Sequence, residues 1–338
     1  MKSIVLNQPG EFIVVEKEYP GPPGPEQVLL KVKCLGICGT DLHAYNGRQP
    51  FFTYPRILGH EIAAEVVSIG KNVTHLKEGD LCTVLGYRNK IIDQAVKRGK
   101  PNCGSGLAYL GVHEDGAMQE YFLYNAENVF PANGLTPEQI AMIEPLSIGS
   151  HAIERAAIKP EDIVMIVGAG PIGITTLMMG RLKAAKFIVL DTNQARLDFV
   201  KNKFTGVEII NFDEYTVENL KTILNGNLPT IVMDATGNRE SMMKCFDYTA
   251  HGGTIIYIGL FIGNMEFSDP VFHAKEITLK SSRNSLPEDY TKIIRLQKAG
   301  LVNIDGLVTH RLQFANLEKT FTDLYNSTEP VIKAIVEF

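Results

Sequence analysis

Ile163-Val164-Met165-Ile166-Val167-Gly168-Ala169-Gly170-Pro171-Ile172-Gly173 decides the fold of this chain. Its first five residues read as a buried strand. The glycines at 168, 170 and 173 then turn that strand into a helix, which is the context a Gly-x-Gly-x-x-Gly fingerprint requires. The first two glycines let the backbone turn tightly and approach a pyrophosphate. The third lets the helix pack close to the strand. Pro171 and Ile172 open the helix, whose free N–H groups face an anion. Downstream the rhythm repeats, with strands at 187–191, 207–210, 231–234 and 254–258 and helices at 194–202 and 242–248. Alternation of this kind predicts an α/β fold with a doubly wound parallel sheet.

Asp191 ends the second strand. A carboxylate there accepts hydrogen bonds from the adenosine ribose and repels a 2′-phosphate, so NAD is expected rather than NADP. Arg196 is placed to cover the ribose or adenine. The plainer alternative makes Asp191 a helix cap and Arg196 a surface residue. Thr236 and Gly259 follow later strands, at the carboxyl edge where a nucleotide lies.

Upstream the pattern differs. Strands at 4–6 and 12–15 flank Pro9-Gly10, and further strands are expected at 28–34, 62–69 and 81–85. Short strands between Gly, Pro and Asp turns predict a β-rich barrel-like or sandwich module. Thr136 is a candidate N-cap with Pro137 at the first helical position. The helix it starts is expected to run towards 158, with kinks or breaks at Pro145 and Gly149. A helix at 287–299 and a last strand at 331–336 close the chain. The predicted domains are 1–148 with 286–338, and 149–285.

The 338 residues suit two domains. The net charge of −5, without a long basic run, argues against a nucleic-acid surface. Lys97-Arg98-Gly99-Lys100 reads as a solvated loop. No stretch has the 18 or so apolar residues of a membrane span. The apolar start is too short for a signal peptide. Five scattered cysteines do not resemble a disulfide framework, so a cytoplasmic protein is expected.

A second constellation carries chemistry. Cys38 is followed by Gly39-Thr40-Asp41-Leu42-His43 and then by Gly59-His60-Glu61. A catalytic zinc takes three protein ligands and leaves one position open. Cys38 and His60 suit it, with Glu61 or Glu144 as the third. Singly, each has an ordinary reading: a small core thiol, a satisfied core histidine, a solvated carboxylate. Their joint arrangement, beside an independent nucleotide motif, carries the metal reading.

These motifs, with Glu144-Pro145-Leu146, resemble the zinc-dependent medium-chain dehydrogenase/reductases, which include alcohol, sorbitol and threonine dehydrogenases. The resemblance covers nearly the whole length and implies a GroES-like catalytic domain beside a Rossmann domain. Glutamate at 144 points to the polyol-type branch. The segments 49–56, 111–116, 267–270 and 282–284 also resemble bacterial hexonate 5-dehydrogenases, which oxidise L-galactonate or L-gulonate at C5. One departure stands out. Relatives carry four cysteines in a lobe after the strand at 81–85, and these bind a structural zinc. Here Lys90, Asp93, Val96 and Gly104 fall in their places, and Cys103 alone cannot hold a metal. The lobe is expected without metal, with Ile91, Ile92 and Val96 packing instead at the cost of local order. One zinc per chain follows.

The resemblance implies a reaction. Zinc lowers the pKa of a substrate hydroxyl. The proton leaves through Thr40 towards a nicotinamide ribose hydroxyl and His43, and hydride passes to NAD. Glu144 tunes or transiently ligates the metal. An aldonate substrate needs a cationic partner, for which Arg283 is the first candidate, with His113 and Arg56 behind it. Arg283 has a competing role in cofactor or subunit contact. Other readings are a polyol, threonine or simple secondary-alcohol dehydrogenase, or a non-catalytic nucleotide-binding protein on the same fold. A strand near 276–280 suggests a homodimer or homotetramer.

Overall fold

The computed structural model describes residues 1–50, 52–212, 216–327 and 329–338. Phe51, part of the resemblance at 49–56, lies outside the described residues. The chain divides into two compact units, Met1–Glu144 with Leu286–Phe338, and Pro145–Ser285.

In the first unit β1 (Lys2–Gln8) and β2 (Glu11–Glu16) pair antiparallel across Pro9-Gly10. β3 (Gln27–Ile37), β4 (Glu61–Ile69) and β5 (Leu81–Val84) follow, with the helix Gly39–Tyr45 between β3 and β4. β6 (Tyr87–Asn89) pairs with β7 (Leu107–Tyr109) as a separate ribbon, and β8 (Tyr121–Asn125) and β9 (Val129–Pro131) follow. The second unit supplies β10 (Ile163–Val167), β11 (Lys186–Asp191), β12 (Glu208–Asn211), β13 (Ile231–Asp234), β14 (Thr254–Tyr257) and β15 (Thr278–Ser281). They form one parallel sheet in the order β12-β11-β10-β13-β14-β15. The order reverses at β10, the strand feeding the glycine turn, and such a switch point opens a crevice for a nucleotide.

The chain then returns to the first unit with β16 (Val308–Gln313) and β17 (Lys333–Glu337). Its seven-stranded sheet runs β16-β17-β3-β4-β5-β9, with β8 also on β3. Leu30, Leu35, Ile57, Leu58, Ile62 and Met118 are fully buried there. Each such side chain contributes about 1.5–3 kcal/mol by leaving water. No helix among the described residues is long and apolar enough to cross a membrane.

Two local expectations are corrected. Helix Pro137–Ala141 starts as expected, with a reciprocal box in which Thr136 Oγ1 accepts from Gln139 N and Gln139 Oε1 accepts from Thr136 N. The break comes at Met142, and the next helix, Ile143–Ala156, runs through both Pro145 and Gly149. Pro145 lies in its first turn, where no intrahelical N–H is needed. Gly149 is there because a Cβ would come within 2.7 Å of the Thr175 carbonyl carbon and the Thr176 nitrogen.

In the lobe, Ile91 and Ile92 do not pack; they are 58% and 63% exposed. A carboxylate does the tying instead. Asp93 Oδ1 accepts from Val96 N and Oδ2 from Ser105 N, at 2.9 and 2.6 Å. Asn89 Nδ2 donates to Pro101 O at 2.9 Å, and Val96 lies half-buried beside Gly104.

Candidate metal and nucleotide sites

β3 ends at Ile37, and Cys38 caps the short helix Gly39–Tyr45 from an extended conformation. Asp41 fixes that turn by accepting the Cys38 N–H on Oδ2 at 2.9 Å. His60 and Glu61 enter β4, and antiparallel pairing sets Glu61 opposite Gly36 of β3. A side chain at 36 would collide with the Glu61 carboxylate, so the glycine makes room for it. Ligand atoms of Cys38, His60 and Glu61 thereby lie within 4.8 Å of one another. Glu144 sits in the first turn of helix Ile143–Ala156, buried, with Oε1 accepting from the Tyr109 hydroxyl at 2.7 Å.

The electrostatics are those of a site short of positive charge. Cys38, Asp41, Glu61 and Glu144 crowd one buried region. Burial alone would lower the His60 pKa. The Cys38 sulfur, by charge and hydrogen bond, and then Asp41 and Glu144 overcome that and raise it to about 10. Burial raises the carboxyls of Asp41 and Glu144. Lys333 gives the counter-charge, its Nζ ion-paired with Glu61 and donating to Ile37 O at 2.9 Å. Burial opposes its charge, yet Glu61 and Cys38 raise its pKa.

His60 Nδ1 and Asp41 Oδ1 are buried without a hydrogen-bond partner. A set of sulfur, nitrogen and carboxylate oxygen with surplus negative charge fits a zinc ion. Asp41 is the carboxylate available to receive the N–H of a metal-ligating His60. The lobe does not fit a second zinc. Asp93 is spent on backbone N–H groups, and Cys103 is a lone exposed thiol.

Thr40 and His43 share the helix Gly39–Tyr45 three residues apart, so they lie on one face. Thr40 is half-buried beside Cys38 and His43 is exposed. Of the substrate candidates, Arg56 donates to Thr53 Oγ1 at 2.8 Å and pairs with Asp115 at 3.5 Å. His113 is exposed, with Nδ1 accepting from Tyr109 N at 3.2 Å. Arg283 is exposed in the second unit, just past β15.

In the second unit Gly168 has φ +100°, open to glycine. A Cβ at Gly173 would collide with Gly168 O, so helix and strand close on each other only with glycine there. Gly170 caps helix Pro171–Gly180 and faces nearly open space, its closest neighbour being Arg196 Nη1. Asp191 is not a helix cap: Asn193 takes that role, accepting from Arg196 N at 3.1 Å. Asp191 instead accepts from Ala169 N at 2.6 Å and Asn193 N at 2.8 Å, tying β11 to the glycine turn and leaving lone pairs for further donors. Thr236 N and Oγ1 both donate to Asp234, and Gly259 packs against Gly237.

Residues 24–134 match the alcohol dehydrogenase GroES-like domain, and residues 171–299 match the zinc-binding dehydrogenase domain. The chain is 41% identical to an L-galactonate-5-dehydrogenase of Escherichia coli K12, over 100% of this chain and 99% of that one. The chain belongs to the zinc-type medium-chain alcohol dehydrogenases. It is 31% identical to the sorbitol dehydrogenase of Ovis aries, over 94% of this chain and 92% of that one. An alcohol dehydrogenase of E. coli CFT073, solved with NADH, superposes with a TM-score of 0.92 at 27% identity, covering 100% and 99% of the two chains. These dehydrogenase relatives make the chain an oxidoreductase acting on CH–OH groups of small molecules.

Sequence reading had passed over Lys333, Asp41, Gly36 and Tyr109 as site residues. For Lys333 a signal was present: a lysine inside the apolar run 331–336.

Proposed function

We propose that this dehydrogenase oxidises a secondary alcohol of a sugar acid, with NAD as acceptor and one zinc per chain. The best-supported substrate is a hexonate, L-galactonate or L-gulonate, oxidised at C5. The convergence of Cys38, His60 and Glu61 into an open ligand set carries the chemistry. The full-length 41% identity to an L-galactonate-5-dehydrogenase carries the substrate class. A polyol such as sorbitol is the second reading, favoured by the sorbitol dehydrogenases at 31% identity.

Cys38, His60 and Glu61 would hold the zinc, and the turn at Gly168, Gly170, Pro171, Ile172 and Gly173 would hold the dinucleotide. Bound zinc supplies a Lewis acid and bound NAD a hydride acceptor. The remaining work is the protein's own. Lys333 and Gly36 keep Glu61 in place, and Asp41 orients His60. Half-buried Thr40 accepts a hydrogen bond from the substrate hydroxyl and donates its own proton onward, and His43 passes a proton to water. Histidine suits this exit because its ordinary pKa lies near neutrality. Asp191 receives the ribose hydroxyls, with Arg196 beside it. Thr236 and Gly259 shape the far edge of the nucleotide crevice.

Arg56 already answers Asp115, and His113 Nδ1 is taken by a backbone N–H. Arg283, exposed just past β15, stands first among the cations for a substrate carboxylate. A cytoplasmic location suits its five free thiols, which a reducing compartment keeps reduced. The open edge of β15, with Leu279 exposed, would pair copies into a homodimer or homotetramer.

Turnover with NAD on hexonates, hexitols and threonine tests the substrate. A clear preference for a hexitol over L-galactonate and L-gulonate would move the reading to a polyol. Elemental analysis tests the metal, with one zinc per chain expected; two would overturn the metal-free lobe.

A further inference from the structure

The rank of Glu144 at the metal is left open by the sequence, and one contact bears on it. Tyr109 donates its hydroxyl to Glu144 Oε1 at 2.7 Å. The phenol is aimed from several sides. β7 pairs with β6, setting Tyr109 opposite Tyr87, and the two rings stack at 6.2 Å. The His60 imidazole meets the Tyr109 ring edge-on, with centroids 5.1 Å apart. Tyr109 N donates to His113 Nδ1, and its carbonyl accepts from His113 N at 2.9 Å. The ring thus touches one metal-ligand side chain while its hydroxyl holds the neighbouring carboxylate.

Resting on the zinc reading above, we propose that Tyr109 is a positioning residue that keeps Glu144 out of the metal's coordination sphere. A buried carboxylate beside a dication is drawn towards it. A fourth protein ligand would close the position that substrate needs, converting an open site into the closed kind. The Tyr109 hydroxyl engages one Glu144 oxygen and draws the carboxylate towards the phenol. Glu61 is thereby left as the resting carboxylate ligand. The lobe acquires a task that requires no metal of its own: its β6–β7 ribbon delivers Tyr109.

Tyr109→Phe removes the donor and preserves the ring contacts with Tyr87 and His60. The test uses the full chain with cobalt(II) replacing zinc, because visible absorption reports coordination geometry. In Tyr109→Phe the cobalt band is expected to shift as the Glu144 carboxylate takes the open position. Turnover should fall about ten-fold, with KM for NAD unchanged. Glu144→Gln alone should keep the wild-type band, and the double variant should regain it. An unchanged band in Tyr109→Phe overturns the proposal, as does a shifted band in Glu144→Gln alone. A wild-type chain that takes up neither cobalt nor zinc overturns the metal reading itself, which is a separate result.

Discussion

Lys333 Nζ is ion-paired with Glu61 Oε2 in the protein interior, the two side chains being 2% and 1% exposed. The pair joins the first residue of β17 to the first residue of β4, with β3 between them. Burying two charges costs several kcal/mol each, so such a pair adds little net stability, but breaking it is costly. The pair fixes the Glu61 carboxylate beside Cys38 and His60.

Lys333→Met leaves Glu61 buried and unpaired. The metal-free protein should lose about 3 kcal/mol or more in urea denaturation. Zinc-loaded protein should lose clearly less, because the ion answers the same carboxylate. Equal losses with and without zinc would show that Glu61 does not face the metal.

Thr40→Ala removes the half-buried hydroxyl proposed to open the proton path. Turnover should fall about 100-fold, while zinc content and Tm stay at wild-type values. His43→Ala should give a smaller drop that added imidazole restores, because His43 is exposed. Unchanged turnover in Thr40→Ala would remove it from the path.

Asp191→Ala removes the carboxylate proposed to receive the ribose hydroxyls. The preference for NAD over NADP, measured as the ratio of kcat/KM values, should fall about ten-fold or more, the worth of a charged hydrogen bond. A preference that persists would assign discrimination to another residue.

Glu114 ties the segment after β7 to β6, accepting two bonds from Arg88 at 2.9 and 2.7 Å and pairing with Lys90 at 2.9 Å. The hydrogen bonds from Arg88, with help from Lys90, hold its carboxyl down at about 2, against an ordinary 4.5. A lowered carboxyl stabilises the fold above its unfolded value, and that contribution fades as pH falls from 4.5 towards 2. Glu114→Gln should cost about 1 kcal/mol at pH 7, allowing for solvent screening. Urea denaturation at lower pH should show the gap narrowing below 4.5. A gap that is constant with pH would deny the ion pair its role.

Local pattern made much of this protein legible. Apolar run, glycine turn and Asp191 lie in continuous sequence, so they announced the parallel sheet and its nucleotide crevice. Thr136 and Pro137 announced a helix start for the same reason. Pro145 and Gly149 misled, because their tolerance depends on a helix's first turn and on a neighbouring helix backbone rather than on adjacent residues. Ile91 and Ile92 misled as well: the lobe is tied by Asp93, which takes two backbone N–H groups, rather than by an apolar filling.

Cys38, His60 and Glu61 were visible as ligand chemistry from residue type and spacing alone. Their counter-charge and their restraints were not. Lys333 and Tyr109 stand far along the chain from the residues they hold, and strand pairing brings them in. Sequence by itself determined which groups could bind a nucleotide and a metal, because backbone turns and donor types are local properties. Only the tertiary structure decided which carboxylate is neutralised by a lysine and which is held by a phenol. Charge balance in a buried site is settled by neighbours in space, where low dielectric makes every unpaired group costly.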